Sequence, residues 1–166
     1  MALTERETRE LIRLLGKIGE ADGFWPTEEA MRAAHSTISY WATELVITRN
    51  KGHEVLLALY EGGAEEFRGL WHIPGGYNRW DEPDIETTCS RVAKREIGRD
   101  VLLLQVLDAY KWLSEEHPYG RPLSLYCLCE PVGEIEEREA LRFFPLDALP
   151  AKIVEPHRRF LGGLIP

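Results

Sequence analysis

The sequence lacks any uninterrupted apolar run close to the roughly 18 residues that a membrane-spanning helix requires. It also lacks an apolar signal core behind a basic N-terminal segment, so we expect a cytoplasmic location and no membrane partner. A basic excess is missing as well, since 28 acidic side chains outnumber 20 basic ones and the net charge is −8. Nucleic-acid-binding domains usually carry a basic excess, because neutralising phosphate dominates their affinity. We therefore expect no nucleic-acid partner.

Cysteine is scarce and its spacing is uninformative. The three cysteines, Cys89, Cys127 and Cys129, are an odd number and form no pair of Cys-x-x-Cys motifs. This argues against a disulfide framework and against a structural zinc site. Cys127 and Cys129 alternate with Leu128 in an apolar run, which indicates packing.

The 166 residues, 44% of them apolar and 29% charged, suit one globular domain with one core. Apolar and β-branched patterns predict strands at 40–48, 54–60, 101–112, 123–130 and 141–145, and helices at 85–97 and 151–161. The first two strands resemble a hairpin across Asn50-Lys51-Gly52. This order, with hairpins around a single middle helix, is typical of an α+β fold rather than of βαβ repeats.

The N-terminal part is predicted to be helical. An amphipathic helix spans 4–18, with Thr4 and Glu7 as a capping box, and a second short helix runs from Pro26 to about His35. We interpret 1–36 as a helical extension and 37–166 as the domain proper. We expect the apolar face of the first helix to pack on the core, and a homodimer formed through this face is the alternative.

The segment from Gly75 to Gly98 is the most informative. Pro74-Gly75-Gly76 predicts a turn whose backbone faces a ligand, and Asp84 is a suitable N-cap for the following helix. One stripe of that helix contains Ile85, Cys89, Val92 and Glu96. A carboxylate on an apolar stripe is costly unless a cation or hydrogen-bond donors satisfy it. Three interpretations of Glu96 remain open: it binds a metal ion, it forms a salt bridge with an arginine, or it is simply exposed near the helix end.

This segment resembles the signature of the Nudix hydrolases, G-x5-E-x7-R-E-U-x-E-E-x-G-U, in which U is bulky and apolar. Gly76 and Glu82 match its opening, and Arg91, Glu96 and Gly98 match its close. The resemblance covers roughly 40–161. It implies a Nudix fold, a mixed β-sheet sandwiched between helices. It also implies divalent-metal-dependent hydrolysis of a nucleoside diphosphate linked to another moiety.

The segment departs from the signature at three positions, and these departures indicate which branch of the family it resembles most. One extra residue, best placed at Pro83, lengthens the loop before the helix. Val92 and Arg95 stand where the signature has metal-binding glutamates, so that Glu96 is the one metal-binding glutamate of the signature that this sequence keeps. This pattern is closest to the GDP-mannose mannosyl hydrolases, which use one metal ion, and it favours a nucleotide sugar as the substrate.

By this resemblance, Mg²⁺ or Mn²⁺ would be held by the Gly75 carbonyl, Glu96 and an acidic residue before the last strand. Glu137 is the predicted third ligand, with Glu136 and Glu139 as alternatives. Arg138 stands at the position of the branch's catalytic base, and an arginine cannot act as a base near neutral pH.

The remaining site residues follow from the same comparison and from loop position. His117, in a long loop, is the candidate substitute base, and Arg91 is expected to pair with Glu82. For the substrate, a small nucleotide derivative, we expect contacts from Arg79, Trp80, Glu44 and Tyr77. The alternative is a Nudix-fold nucleotide-binding or sensor domain without catalysis, because fold does not fix function.

Overall fold

The computed structural model describes residues 4–20, 40–62, 64–79, 81–118 and 121–164. The predicted second helix lies outside these residues. Helix α1, Glu5–Glu20, begins at the predicted capping box: the Thr4 N–H donates to Glu7 Oε2 at 2.7 Å, and the Glu7 N–H donates to Thr4 Oγ1 at 3.3 Å. Its apolar side chains Leu11, Ile12 and Leu14 are exposed. The expected packing of this face on the core is therefore not seen among the described residues.

The described part of the chain contains ten further regular elements, which build the domain. The strands are β1 Trp41–Val46, β2 Thr48–Arg49, β3 Glu54–Leu59, β4 Trp71–His72, β5 Gly75–Tyr77, β6 Val101–Lys111, β7 Leu123–Pro131 and β8 Leu141–Pro145; the helices are α2 Ile85–Glu96 and α3 Glu155–Gly162. Short 3-10 turns occur at Glu65–Phe67 and Leu146–Ala148. Among the described residues, no helix has both the length and the apolar character that crossing a membrane demands.

The strands form two sheets. The first has the order β5-β1-β7-β6, in which β1 runs parallel to β7 and the other pairs are antiparallel. The second is antiparallel and centres on β3, which pairs with β2 and β4 along one edge and with β8 along the other. Mixed sheets with helices confirm the predicted α+β class.

The predicted hairpin between 40–48 and 54–60 is wrong for most of its length. Only β2 pairs with β3, whereas β1 lies in the other sheet. The chain changes sheet at the buried Ile47, whose carbonyl still accepts the Leu56 N–H at 2.9 Å. The turn itself is as predicted, because Asn50, Lys51 and Gly52 all have positive φ.

Side chains that alternate along β1 and β3 fill two cores. Leu45 and Leu56 point toward α2 and pack with its Val92, while Val46 and Val55 belong to a second core that includes residues of α3. The sheets therefore lie between the two helices, as the resemblance implied. The three cysteines are free thiols within the α2 core, as their apolar pattern predicted.

Helix α2 begins and ends where the sequence predicts. Asp84 Oδ1 accepts the Thr87 N–H at 2.8 Å, which satisfies one backbone donor of the first turn. Gly98 has φ +69°, a conformation that stops the helix and that side chains disfavour. These two local signals fix how far α2 extends, and so place Glu96 in its last turn.

Candidate functional site

A cleft of about 520 Å³, counting its open mouth, lies where β5 pairs with β1. Its walls are aromatic, and its floor consists of buried polar side chains. The rings are those of Tyr60, Phe67, Tyr77, Trp112 and His117, and the buried polar residues are Glu44, His72, Ser124 and His157. Gly75 and Gly76 complete one side.

The aromatic rings hold each other edge to face. The centroid of His117 lies 5.1 Å from that of Trp112 and 5.5 Å from that of Phe67, and Phe67 lies 5.6 Å from Tyr60. His117 Nε2 is 3.4 Å from the Tyr77 hydroxyl. The predicted loop histidine is therefore part of the cleft wall, and the rings form a surface on which a planar group can stack.

Glu44 points from β1 into the cleft floor and is only 7% exposed. Trp112 Nε1–H donates to Ser124 Oγ at 2.8 Å, and Ser124 Oγ–H donates to Glu44 Oε1 at 2.8 Å. Burial raises the pKa of Glu44 to about 7, against the lowering effect of the Ser124 hydrogen bond and with a raising contribution from the charge of Glu96. Glu44 therefore changes its charge near neutral pH.

His157 presents an unused hydrogen-bond donor at the same floor. The Ile73 N–H donates to His157 Nδ1 at 3.0 Å, and burial holds the pKa of His157 well below its usual value. The ring is thus neutral, and its hydrogen must lie on Nε2. That N–H makes no hydrogen bond within the described part of the chain, and Glu44 Oε2, at 4.0 Å, is too far away for one. This N–H is therefore a buried donor that the described residues leave unsatisfied next to the carboxyl of Glu44.

Gly75 and Gly76 form a strand, so the predicted turn is wrong. They pair with Glu44 and Thr43 of β1, and neither has a positive φ. Glycine is needed here for space: a Cβ at Gly75 would lie 2.0 Å from Glu44 Oε2, and one at Gly76 would lie 2.6 Å from Arg95 Nη2. The two glycines therefore leave room beside β5 for the side chains of Glu44 and Arg95.

The two main predicted metal ligands are engaged by an arginine. Arg95 Nη2 donates to the Gly75 carbonyl at 3.0 Å, and Arg95 Nε donates to Glu96 Oε1 at 2.7 Å. Of the three interpretations left open for Glu96, the structure shows the salt bridge with an arginine. A cation ligand set would need both oxygens released from the guanidinium.

The predicted third ligand does not join the other two in this structure. Glu137 accepts from Arg49 Nη1 at 2.7 Å and from the Phe143 N–H at 3.0 Å. Within the described ranges, no three acidic, histidine or cysteine side chains are placed to hold one metal ion. As arranged, the residues present do not fit the divalent cation that the resemblance implies.

Arg91 pairs with Glu82, as the sequence predicted. Its Nη2 donates to Glu82 Oε2 at 3.1 Å and to the Tyr77 carbonyl at 2.8 Å, and its Nε also contacts the carboxylate. Burial opposes ionisation of Glu82, but hydrogen bonds from Arg91, from the Arg79 N–H and from Thr88 outweigh it and lower the pKa to about 2. Arg91 therefore fixes the loop against β5 rather than facing the cleft.

Two of the four predicted substrate contacts, Glu44 and Tyr77, line the cleft. Arg79 is exposed and is not among the described residues that line it, and Trp80 lies outside the described residues. Ser124 and the Nε2–H of His157, which has no partner among the described residues, were not predicted from the sequence. No local pattern marks either residue, because each sits in an otherwise ordinary strand or helix.

A family model of the NUDIX domain matches residues 39–163. The chain belongs to this family. Membership supports the predicted Nudix-type hydrolase and confirms the fold class, whereas nothing specific supports the GDP-mannose branch. A comparison with curated proteins found no match.

Solved structures share the fold. A MutT NUDIX hydrolase from Burkholderia pseudomallei is 24% identical with a TM-score of 0.62, over 75% of this chain and 97% of that one. An ADP-ribose pyrophosphatase from Streptococcus suis is 22% identical with a TM-score of 0.54, over 78% and 94%. A UDP-X diphosphatase is 16% identical with a TM-score of 0.59, over 98% and 84%. At these identities the likeness concerns the fold alone.

Proposed function

We propose that the cleft binds a nucleoside diphosphate linked to another moiety, with nucleotide sugars favoured, and that the protein hydrolyses it. The observation that carries this proposal is the unused His157 Nε2–H beside the buried carboxyl of Glu44, at the floor of an aromatic cleft. Family membership and two fold neighbours, named for ADP-ribose and for UDP-X, support the substrate class.

The cleft divides into parts that suit the parts of such a ligand. The cleft is concave and is lined by aromatic rings with a few polar groups, as small-molecule sites usually are. The half-buried rings of Tyr77 and His117 offer stacking surface to a nucleobase. The polar floor suits a hydroxyl-bearing sugar, and the side formed by Gly75 and Gly76, next to a guanidinium, suits the diphosphate.

Hydrolysis needs a water molecule and a group that takes its proton. A water bound at the cleft floor would donate a hydrogen bond to the carboxylate of Glu44, which lines the cleft. The ionised carboxylate then accepts the proton as the water oxygen bonds to the substrate; the bond from the attacked atom to its phosphate oxygen breaks, and the phosphate product leaves as an anion. Ser124 holds the carboxylate in place. No step of this mechanism runs through Mg²⁺ or Mn²⁺, because the predicted ligands do not fit one as arranged.

The test is turnover of a panel of nucleotide sugars and dinucleotides, with products identified by ³¹P NMR after reaction in ¹⁸O water. We expect Glu44→Gln to lower kcat about 100-fold or more on the best substrate, the usual contribution of general acid–base catalysis. Glu130→Gln, at an exposed position on β7, is the matched control and should change nothing. A Glu44→Gln enzyme that is folded and as fast as wild type would refute the role of Glu44.

A nucleotide-binding or sensor domain without turnover is the second candidate. It is favoured by Val92 and Arg95, which stand where the signature has carboxylates. If no compound in the panel is cleaved, with or without added metal, while one of them raises the melting temperature, this second function replaces the first.

A further inference from the structure

Arg95 places one planar group between the two oxygens that the Nudix signature would offer to a metal. Its Nε–H donates to Glu96 Oε1 and its Nη2–H donates to the Gly75 carbonyl, at 2.7 and 3.0 Å. These oxygens come from the last turn of α2 and from β5, and they converge on the guanidinium. Arg95 itself replaces a glutamate of the signature, so that a cation stands where a ligand is expected.

Strand β5 leaves room beside Gly76 for the guanidinium of Arg95. A Cβ at Gly76 would lie 2.6 Å from Arg95 Nη2, with Val92 Cγ2 at 3.4 Å on another side. Any larger residue at this position would displace the guanidinium. The absence of a side chain at Gly76, and not a turn, is what lets Arg95 reach the Gly75 carbonyl.

A divalent cation would compete with Arg95 for these oxygens. Arg95 already donates to both, and Mg²⁺ would have to bind them at about 2.0–2.1 Å, beside the guanidinium. The arginine side chain keeps its charge at every ordinary pH, so a second cation would also meet electrostatic repulsion.

We propose that Arg95 is the resident cation of this site: it excludes a divalent metal and binds a phosphate group of the ligand directly. A guanidinium has five N–H donors, and the described residues use two of those on Arg95. The remaining three can bind phosphate oxygens, in the forked geometry that arginine favours. That this phosphate belongs to a nucleoside diphosphate rests on the proposed function; the exclusion of metal does not.

The first test is Mn²⁺ binding, measured by electron paramagnetic resonance without nucleotide. We expect wild type to leave the signal of free Mn²⁺ unchanged, and Arg95→Glu to bind Mn²⁺ at least about tenfold more tightly, a difference of about 1.4 kcal/mol. Arg99→Glu makes the same charge change just beyond α2, where Arg99 contacts the Glu134 carbonyl, and should bind no better than wild type. Equal Mn²⁺ binding by wild type and Arg95→Glu, an equal gain in Arg99→Glu, or no gain in Arg95→Glu would each overturn the exclusion of metal.

The second test is binding of inorganic pyrophosphate by calorimetry in the presence of EDTA. We expect wild type to bind it, Arg95→Ala to weaken binding at least about tenfold, and Arg99→Ala to leave it unchanged. Equal affinity in wild type and Arg95→Ala would overturn the phosphate-binding role. Because this assay measures no turnover, its outcome is distinguishable from failure of the hydrolysis proposed above.

Discussion

Glu44→Gln should change the pH dependence of folding stability as well as turnover. Glutamine keeps the shape of the side chain and can still accept the Ser124 hydrogen bond, but it cannot ionise. In the native protein, burial raises the pKa of Glu44 from 4.5 to about 7. The native state therefore retains a proton over a pH range in which the unfolded chain has already lost it.

The sign and size follow from this pKa difference. Glu44 contributes stability that is fully present below the unfolded pKa of 4.5 and is lost as the pH rises through about 7. A shift from 4.5 to about 7, at 1.36 kcal/mol per pKa unit, corresponds to about 3 kcal/mol. Relative to wild type, the glutamine variant should gain most of this amount between mildly acidic and mildly alkaline pH.

Only the difference in the free energy of unfolding between wild type and Glu44→Gln isolates the titration of Glu44. Burial lowers the pKa values of His72 and His157, so both histidines cost stability as the pH falls through their unfolded pKa of 6.5. Their contribution has the opposite sign to that of Glu44 in an overlapping range. The overall stability profile of wild type can therefore look flat although Glu44 titrates.

Urea unfolding of wild type, Glu44→Gln and Glu130→Gln at about pH 5 and about pH 8 provides the measurement. The free energy of unfolding of Glu44→Gln, less that of wild type, should be about 2–3 kcal/mol higher at the alkaline pH, because at about pH 5 the unfolded chain has already lost part of this proton. For the exposed control, the same difference should change by less than about 0.5 kcal/mol. A Glu44→Gln difference that is the same at both pH values would refute the burial argument.

Three further variants test other parts of the structure. Arg91→Ala leaves the carboxylate of Glu82 buried without its cation, and urea unfolding near neutral pH should show a loss of about 2–3 kcal/mol in the free energy of unfolding. The native pKa of Glu82 is about 2 and its unfolded pKa is 4.5. The extra stability of wild type is therefore fully present above pH 4.5 and should fade as the pH drops toward 2. Tyr126→Phe removes a buried hydroxyl without a partner in the described chain, so its stability should be unchanged or up to about 1 kcal/mol higher, and a loss above about 1 kcal/mol would contradict this. Gly75→Ala should cost about 1–3 kcal/mol, because its Cβ would lie 2.0 Å from Oε2 of the buried Glu44 and 3.0 Å from the Thr43 carbonyl oxygen. Gly162→Ala, which meets nothing within 4 Å, should not, as thermal unfolding will show.

Local signals predicted the helices near the site well. The capping box at Thr4, the N-cap at Asp84 and the left-handed Gly98 each depend on neighbours within a few residues, and the structure has all three. The pairing of Arg91 with Glu82 was also predictable, because the loop and helix that carry them are adjacent in sequence.

Strand pairing and the diglycine were predicted less well. Sequence adjacency suggested that β1 pairs with β3, but β1 pairs with β5 and β7. Pro-Gly-Gly suggested a turn, whereas Gly75 and Gly76 are strand residues that leave room for Glu44 and Arg95. In both cases the deciding contacts come from residues far away in the chain, and local propensity, which depends on neighbouring residues, does not predict such contacts.

The sequence by itself determined the family, the α+β class and the extent of α2 that brings Glu96 to the site, because these depend on periodicity, caps and a contiguous motif. Tertiary structure alone decided which groups meet. It placed Arg95 against Glu96, and it left the His157 N–H near Glu44 without a hydrogen-bond partner among the described residues. The physical reason is that burial and hydrogen-bond partnership are set by the packing of distant segments.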